Sequence, residues 1–183
     1  MPRSTWREIW ETVRALAIAV LVAIFIRSFV VETFQVHGTS MEPNLWNGER
    51  LLVNKFTYRF SPPKIGQIII FHPPIIAACP EVGQHPDDFV KRVIALAGDT
   101  VYLSDGQVYV NGQLQSEPYL PSAWRDQANT RAVKVPQGDV WVLGDHRVVS
   151  LDSRCYGPIP LSRIVGRVML VWWPLNKAHV VQS

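Results

Sequence analysis

Three stretches of this chain carry residues that could do covalent chemistry. The first is "GTSMEP" (38–43), which holds Ser40 between Thr39 and Met41. A serine hydroxyl becomes a useful nucleophile when a neighbouring base takes its proton and hydrogen-bond donors stabilise the oxyanion. A serine in a turn commonly serves only the turn. Its chemistry therefore depends on whether the rest of the chain supplies a base.

The candidate bases are lysines and histidines, and one lysine has an unusual setting. The candidates are Lys55, Lys64, Lys91, Lys134, Lys177, His37, His72, His85, His146 and His179. Lys91 lies in the second stretch, "DFVKRVIALAGD" (88–99), a predicted strand in which it shares a face with Phe89 and Val93. Apolar surroundings disfavour the ammonium form, which lowers the pKa and makes the amine a usable base. A surface lysine on a half-exposed strand is the alternative at this point.

The third stretch, "LGDHRVVSLDSRCYG" (143–157), is a dense polar loop between apolar strands. Its charged and hydroxyl-bearing side chains include Asp145, Arg147, Ser150, Asp152, Ser153 and Arg154. Such side chains often satisfy only their own turns. Aspartates and arginines concentrated in so short a loop can also brace an active site. The composition alone leaves both interpretations open.

A long apolar segment lies upstream of these stretches. Residues 15–26, "ALAIAVLVAIFI", are apolar without a break, and the segment from Ala15 to Val31 approaches the length that spans a bilayer. Arg3, Arg7 and Arg14 precede it, so the positive-inside rule places the N-terminus in the cytoplasm. A cleaved secretory signal is the alternative, but the following residues lack the A-x-A pattern that cleavage prefers. We therefore predict a cytoplasmic segment (1–14), a transmembrane signal anchor (15–35) and an extracytoplasmic domain (36–183).

Beyond residue 36 the chain has the pattern of short strands separated by turns. Strands are predicted at 50–56, 67–72, 89–96, 139–144 and 164–173. Asp105-Gly106 and Asn111-Gly112 are strong signals of tight hairpins. No helical periodicity longer than two turns follows the apolar segment. The predicted fold class is mainly β, with one N-terminal transmembrane helix.

Charge and cysteine usage argue against two classes of function. The net charge is +3 and the pI about 9.0, but the only adjacent basic pair is Lys91-Arg92, so nucleic acid is not an expected partner. Cys79 and Cys155 lack the spacing of metal ligands, so no metal site is expected. The two cysteines could form one disulfide in an oxidising compartment, although the sequence does not give their separation.

Taken together, these stretches resemble the bacterial type I signal peptidases, the membrane-anchored Ser/Lys proteases that remove signal peptides from exported proteins. "SMEPNL" (40–45) resembles the family's nucleophile box S-M-x-P-T-L, and "FVKRVIALAGD" (89–99) resembles the general-base box Y-V-K-R-V-I-G-L-P-G-D. "GQIIIF" (66–71) resembles the strand G-D-I-V-V-F, and "GDHRVVSLDSR" (144–154) resembles G-D-N-R-D-N-S-x-D-S-R. Four boxes in the family's order behind an apolar segment make the resemblance specific. It implies a signal-peptidase-like β fold of antiparallel sheets.

The resemblance also implies catalytic roles for individual residues. Ser40 would be the nucleophile and Lys91 the general base, with Ser150 hydrogen-bonded to Lys91 and orienting it. The residues that would brace the surrounding loop are Asp145, Asp152 and Arg154. None of these roles requires a cofactor.

The oxyanion hole and the substrate pockets follow from the same resemblance. The backbone N–H of Ser40 would serve the oxyanion, and Gly38 stands where some members place a serine hydroxyl, so its donor would be a backbone group. The residues lining shallow pockets for small P1 and P3 side chains would be Val36, Met41, Leu45, Phe89 and Val90. The implied partners are preprotein signal peptides and the lipid bilayer. The implied location is the cell membrane, with a single span and the catalytic domain outside the cytoplasm.

The chain departs from the family's boxes at five positions. Asn44 replaces threonine, Ala97 replaces proline, and His146, Val148 and Val149 replace Asn, Asp and Asn. None of these changes removes a catalytic group.

Three other functions are compatible with part of the sequence. The self-cleaving SOS repressors share Ser/Lys chemistry, but they carry a DNA-binding segment where this chain has its apolar run. A membrane-anchored β domain that only binds partners would leave the catalytic boxes unexplained. A Ser/His/Asp hydrolase would combine Ser40 with His146 and with either Asp145 or Asp152.

Overall fold

The computed structural model describes residues 3–29, 31–74, 79 and 88–181, which form one long helix followed by two β-sheets. The helices are α1 (Arg3–Phe29) and α2 (Ser153–Tyr156). The strands are β1 (Val31–Gln35), β2 (Arg50–Asn54), β3 (Ile68–Phe71), β4 (Phe89–Leu96), β5 (Thr100–Ser104), β6 (Gln107–Val110), β7 (Gln113–Leu114), β8 (Val133–Lys134), β9 (Asp139–Leu143), β10 (Ile159–Pro160), β11 (Ile164–Trp173) and β12 (His179–Val180). The mainly β fold class is confirmed.

Helix α1 contains the apolar run of residues 15–26. Arg7 and Glu11, one turn apart, form an ion pair with 3.2 Å between Nε and Oε1. The large apolar side chains from Leu16 to Ile24 are exposed. In the part of the chain that the structure describes, no helix carries a stretch both long and apolar enough to cross a membrane. The transmembrane anchor therefore stays a prediction.

Residues 31–35 form strand β1, which the sequence assigns to the end of the anchor. Val31 pairs with Asn54 and Gln35 with Arg50 in an antiparallel ladder with β2. Alternation along "VETFQ" lets Phe34 pack against the core while its neighbours are more exposed. The helix ends at Phe29 and the sheet begins at Val31, so residues 31–35 belong to the sheet, while the domain boundaries stay predictions.

The larger sheet is built from antiparallel pairs in the order β1-β2-β11-β3-β4-β9-β10, with β12 beside β11. The strands predicted at 89–96 and 164–173 have those bounds, and the other three differ by one or two residues at an end. All four residues of β3 are buried, because both of its faces are covered. Burying such a side chain contributes roughly 1.5–3 kcal/mol.

The smaller sheet has the order β7-β6-β5-β8 and contains the predicted hairpins. Asp105-Gly106 joins β5 to β6, and Asn111-Gly112 joins β6 to β7. Asp105, Gly106, Asn111 and Gly112 all have positive φ, as the tight turn between twisted strands requires. Both hairpin predictions are confirmed.

Cys79 and Cys155 form a disulfide, which answers the question that their sequence separation left open. Their Cα atoms are 5.6 Å apart. Cys79 is buried in a cluster with Phe71 of β3 and Tyr156 of α2. The bond therefore ties α2, which follows the polar loop 143–152, to the core beneath the larger sheet.

Candidate active site

Ser40 lies in the tight turn that follows β1. The N–H of Leu45 donates to the carbonyl of Met41 over 2.9 Å, so that these two side chains lie on the same side of one helical turn. Met41 and Leu45 are 1% and 0% exposed and pack in the core. The turn directs both side chains into the core and not onto the cleft, and their role as pocket residues stays a prediction. Ser40 instead lines an open cleft.

Lys91 contacts Ser40 directly. Its Nζ donates a hydrogen bond to Ser40 Oγ over 2.7 Å. Lys91 is 4% exposed, and its Nζ lies 5.3 Å from the centroid of the Phe89 ring. Alternation along β4 directs the amine to the same side as buried Val93. A buried amine and a serine hydroxyl are thus brought within proton-transfer distance.

Burial makes Lys91 a weaker base than an ordinary lysine, and therefore a more useful one at neutral pH. It lowers the pKa of Lys91 from 10.5 to about 8. The carboxylates of Asp152 and Asp145 oppose this effect because they favour the ammonium ion, whereas the positive charge of Arg154 reinforces it. At pH 7 about one amine in ten is neutral, and at pH 9 about nine in ten. The neutral form can accept the proton of Ser40.

Asp152 and Arg154 hold the loop beside the lysine together. Arg154 Nε and Nη2 each donate to a carboxylate oxygen of Asp152 over 2.8 Å. Nη2 also donates to the carbonyl of Ser150 over 3.2 Å. Asp152 accepts from the backbone N–H of Gly144 over 3.1 Å and caps α2. The loop is therefore fixed to the end of β9 at one side and to α2 at the other.

Asp145 belongs to a buried ion pair that the sequence does not reveal. Nε and Nη2 of Arg92 donate to its two oxygens over 2.9 and 2.7 Å, and both side chains are buried. The available signal is the adjacency of Lys91 and Arg92, since neighbours on a strand point to opposite faces. Glu117 and Arg147 form a second buried pair of the same kind. In each pair the partner compensates a buried charge that would otherwise cost several kcal/mol.

Ser150 lies close to the Ser40 segment but does not make the predicted hydrogen bond to Lys91. Its Oγ is buried and has no hydrogen-bond partner within the described residues. A Cβ added to Gly144 would lie 2.1 Å from Ser150 Oγ and 2.6 Å from the carbonyl oxygen of Ser40, so the two segments approach over a bare glycine. The hydroxyl lies beside Gly144 and not in a hydrogen bond with Lys91, so the orienting role of Ser150 stays a prediction.

Gly38 does not offer a free oxyanion donor either. Its backbone N–H donates to Asn47 Oδ1 over 3.1 Å. Its φ of +89° is a conformation that favours glycine. The backbone N–H of Gly38 is thus bonded to Asn47, and the oxyanion role of Gly38 stays a prediction. The backbone N–H of Ser40 remains the candidate for that role.

The cleft beside Ser40 has a volume of about 720 Å³. Its lining includes the predicted pocket residues Val36, Phe89 and Val90, together with Val149 and Leu151. One wall comes from residues 33–39, which belong to β1 or directly follow it. β1 is the end strand of the larger sheet. The cleft therefore combines apolar pockets with a sheet edge.

His146 is not placed to act as the base. Its ring packs edge-on against Trp124, with 4.2 Å between centroids, and its Nδ1 is buried without a hydrogen-bond partner in the described chain. Its backbone N–H donates to the carbonyl of Ser40 over 3.0 Å, which is a structural contact. Asp145 and Asp152, the aspartates that a histidine mechanism would need, are bonded to arginines.

Among the remaining candidate bases, His37 and His72 also line the cleft beside Ser40. His72 pairs with Asp88, and Lys55 pairs with Glu32 over 2.9 Å. His85 lies outside the described residues. Within the described ranges, no group of three His, Cys, Asp or Glu side chains could hold a metal ion.

Comparison with known proteins gives consistent matches. The family model described as "Signal peptidase, peptidase S26" matches residues 9–173. "Probable signal peptidase I-1" of Synechocystis sp. is 40% identical over 95% of this chain and 87% of its own length. "Signal peptidase IB" of Staphylococcus aureus is 33% identical over 93% of each chain. A crystal structure of a signal peptidase I from Enterococcus faecalis V583 is 32% identical and aligns with a TM-score of 0.47, covering 58% of this chain and 97% of that one.

The buried amine predicts an unusual stability effect for Lys91→Met. The folded-state pKa of about 8 lies below the unfolded value of 10.5, so the charged amine destabilises the fold at pH 7 and stability recovers as the pH rises from 8 to 10.5. We expect the free energy of unfolding of the variant to exceed that of wild type by about 3 kcal/mol at pH 7, and by less at pH 10. Urea unfolding at both pH values measures this. Lys64→Met, at an exposed lysine, is the control. A Lys91→Met protein that is less stable than wild type at pH 7 would contradict the lowered pKa of Lys91.

Proposed function

Because the chain belongs to the signal peptidase, peptidase S26, family, we propose that it is a membrane-anchored serine endopeptidase that removes N-terminal signal peptides from exported preproteins. The observation that carries the proposal is the 2.7 Å hydrogen bond from Lys91 Nζ to Ser40 Oγ. It supports a Ser/Lys dyad, since the amine is buried and has a lowered pKa of about 8.

In the proposed reaction, neutral Lys91 takes the proton of Ser40 while Oγ attacks the carbonyl carbon of the scissile bond. A C–O bond forms and the carbonyl oxygen becomes an oxyanion, for which the backbone N–H of Ser40 is the proposed donor. The C–N bond then breaks, and protonated Lys91 gives its proton to the leaving amine. A water molecule, deprotonated in turn by Lys91, hydrolyses the acyl ester and restores Ser40.

The proposed substrate segment is an extended peptide with small residues at P1 and P3, typically Ala-x-Ala. Such a peptide would lie beside the segment that leads from β1 to Ser40 and pair with it as an added strand. Main-chain hydrogen bonds would then supply affinity. Val36, Phe89 and Val90 would limit the size of the side chains that the cleft accepts.

The membrane anchor of the proposal is the apolar part of α1. Its exposed apolar side chains, from Leu16 to Ile24, have no contact with water in a bilayer and are costly to leave in solution. Arg7 and Arg14 precede the apolar run and favour a cytoplasmic N-terminus. The catalytic domain would then lie on the side to which preproteins are exported.

Cleavage of a membrane-reconstituted preprotein by the full-length chain tests the dyad. Ser40→Ala should abolish cleavage, and Lys91→Ala should lower kcat at least a thousandfold, while His146→Ala should lose less than tenfold. The rate of the wild-type enzyme should rise with pH to a plateau, with an apparent pKa of about 8, because only the neutral amine is a base. An inactive His146→Ala protein beside an active Lys91→Ala protein would establish a histidine mechanism instead.

Substrate variants test the pockets. Replacing alanine by phenylalanine at P1 should lower kcat/KM at least tenfold, because the ring exceeds the shallow space beside Val90. Steady-state assays on two preproteins that differ only at P1 measure the ratio. A preprotein with phenylalanine at a position beyond the cleft serves as control, and equal rates for both P1 residues would argue against the proposed pocket.

Membrane fractionation and protease protection test the anchor. In cells that express the chain, it should remain with membranes after alkaline carbonate washing, and protease added outside spheroplasts should digest the domain after residue 36. Deletion of residues 3–29 should release the domain from the membrane fraction. Digestion only after permeabilisation would reverse the proposed topology.

A further inference from the structure

Asn44, one of the departures from the family's nucleophile box, uses both hydrogens of its side-chain amide. Nδ2 donates to Asp145 Oδ2 over 2.9 Å and to the carbonyl oxygen of Tyr119 over 2.9 Å. The threonine of the family pattern has a single hydroxyl hydrogen, so it could serve only one of these acceptors. The asparagine therefore links the turn that holds Ser40 (residues 40–45, here called the nucleophile turn) to two other segments at once.

Asp145, the first acceptor, is itself held rigidly. It receives two hydrogen bonds from Arg92, whose Nη1 donates to the carbonyl of Gly66 over 2.8 Å. The guanidinium carbon of Arg92 lies 3.9 Å from the centroid of the Tyr119 ring. A buried guanidinium with this many directed contacts has little freedom to move.

These contacts, together with the backbone, form a closed ring that includes both Ser40 and Lys91. Arg92 follows Lys91 in β4, Asp145 bonds to Arg92, Asn44 bonds to Asp145, and Asn44 lies in the same turn as Ser40. Lys91 and Arg92 point to opposite faces of β4, yet both are linked to the turn of Ser40. The lysine is linked to it through the serine hydroxyl, and the arginine is linked to it through Asp145.

Asn44 lies apart from the cleft that would bind the substrate. It lines a separate cavity of about 650 Å³, together with Arg92 and Tyr119. None of these three residues lines the cleft beside Ser40. A change at Asn44 can therefore reach the chemistry through the position of the turn without removing a substrate contact.

We propose that Asn44 is a positioning residue: its side-chain amide fixes the nucleophile turn to the Arg92–Asp145 pair and so sets the alignment of Ser40 with Lys91. The inference rests on the proposed function, because alignment matters only if these two residues form the dyad. Small displacements of a nucleophile from its base are costly to the rate.

The test is Asn44→Leu, which keeps the approximate size of the side chain and removes both donors. We expect kcat on a preprotein to fall at least tenfold while KM stays within threefold of wild type. Asn44→Thr, which keeps one donor, should have a kcat between those of wild type and Asn44→Leu. Asn129→Leu, which removes an exposed side-chain amide near the smaller sheet, should leave both constants within twofold. Unchanged kcat in Asn44→Leu, or a rise in KM alone, would overturn the inference.

A swap of donor and acceptor separates positioning from folding. Asn44→Asp sets two acceptors against each other, and Asp145→Asn weakens the pair with Arg92, so each single variant should lose kcat. The double variant restores a donor and an acceptor between the two positions and should recover at least fivefold over the weaker single variant. Losses that simply multiply in the double variant would argue that the contact has no positioning role.

A second readout does not depend on preproteins. The rate at which p-nitrophenyl acetate acylates Ser40, followed by intact mass, should fall in Asn44→Leu by a factor similar to that in kcat. If the wild-type protein is acylated but cleaves no preprotein, the proposed function fails while this measurement still decides the role of Asn44. Equal acylation rates in wild type and Asn44→Leu would overturn the inference.

Discussion

The burial of an ammonium group at Lys91 is the constraint on which the candidate site depends. Moving such a charge out of water costs several kcal/mol unless compensating charges are close. Asp145 and Asp152 supply negative charge near the amine, yet each is already bonded to an arginine. Burial outweighs the attraction of these two carboxylates, and the positive charge of Arg154 opposes it further, so the pKa of the amine is lowered to about 8. Unpaired carboxylates in the same places would return Lys91 towards the protonated state.

The register of the larger sheet brings the separate parts of the site together. Ile69 of β3 lies opposite Lys91, and Leu143 of β9 lies opposite Arg92. β9 therefore ends beside Lys91 and Arg92, and the next residues, Gly144 and Asp145, leave the sheet where they meet the turn of Ser40. The bare Cα of Gly144 allows this approach, since a methyl group there would overlap both neighbouring segments.

The sequence predicts the strands well because alternation and turn chemistry are local properties. Asn111-Gly112 and the apolar pattern of β4 each carry their own structural signal. Ser40 and Lys91 could be paired only through the resemblance of whole boxes, since no local pattern relates positions so far apart. β1 was hidden because its first residue continues an apolar run, so that hydropathy alone extends the helix too far.

Side-chain contacts were the hardest to predict, since they depend on where a turn directs each residue. Met41 and Leu45 have the composition of pocket residues, but one helical turn sends them into the core. Ser150 has the right chemistry to orient a lysine, but its hydroxyl packs against Gly144. The role of Asn44 depends on Asp145 and Tyr119, which lie far away along the chain, so a single sequence gives no sign of it.

The direct succession of helix and strand at the start of the domain limits how far Ser40 can lie from the end of α1. α1 ends at Phe29 and β1 begins at Val31, so a single residue joins them. The path from Phe29 to Ser40 spans at most about 40 Å even when fully extended. Pairing of β1 with β2 removes most of the slack in that path. If α1 lies in a bilayer, the membrane surface fixes the starting point of this path. Only peptide bonds held within about that distance of the membrane would then come within reach of Ser40.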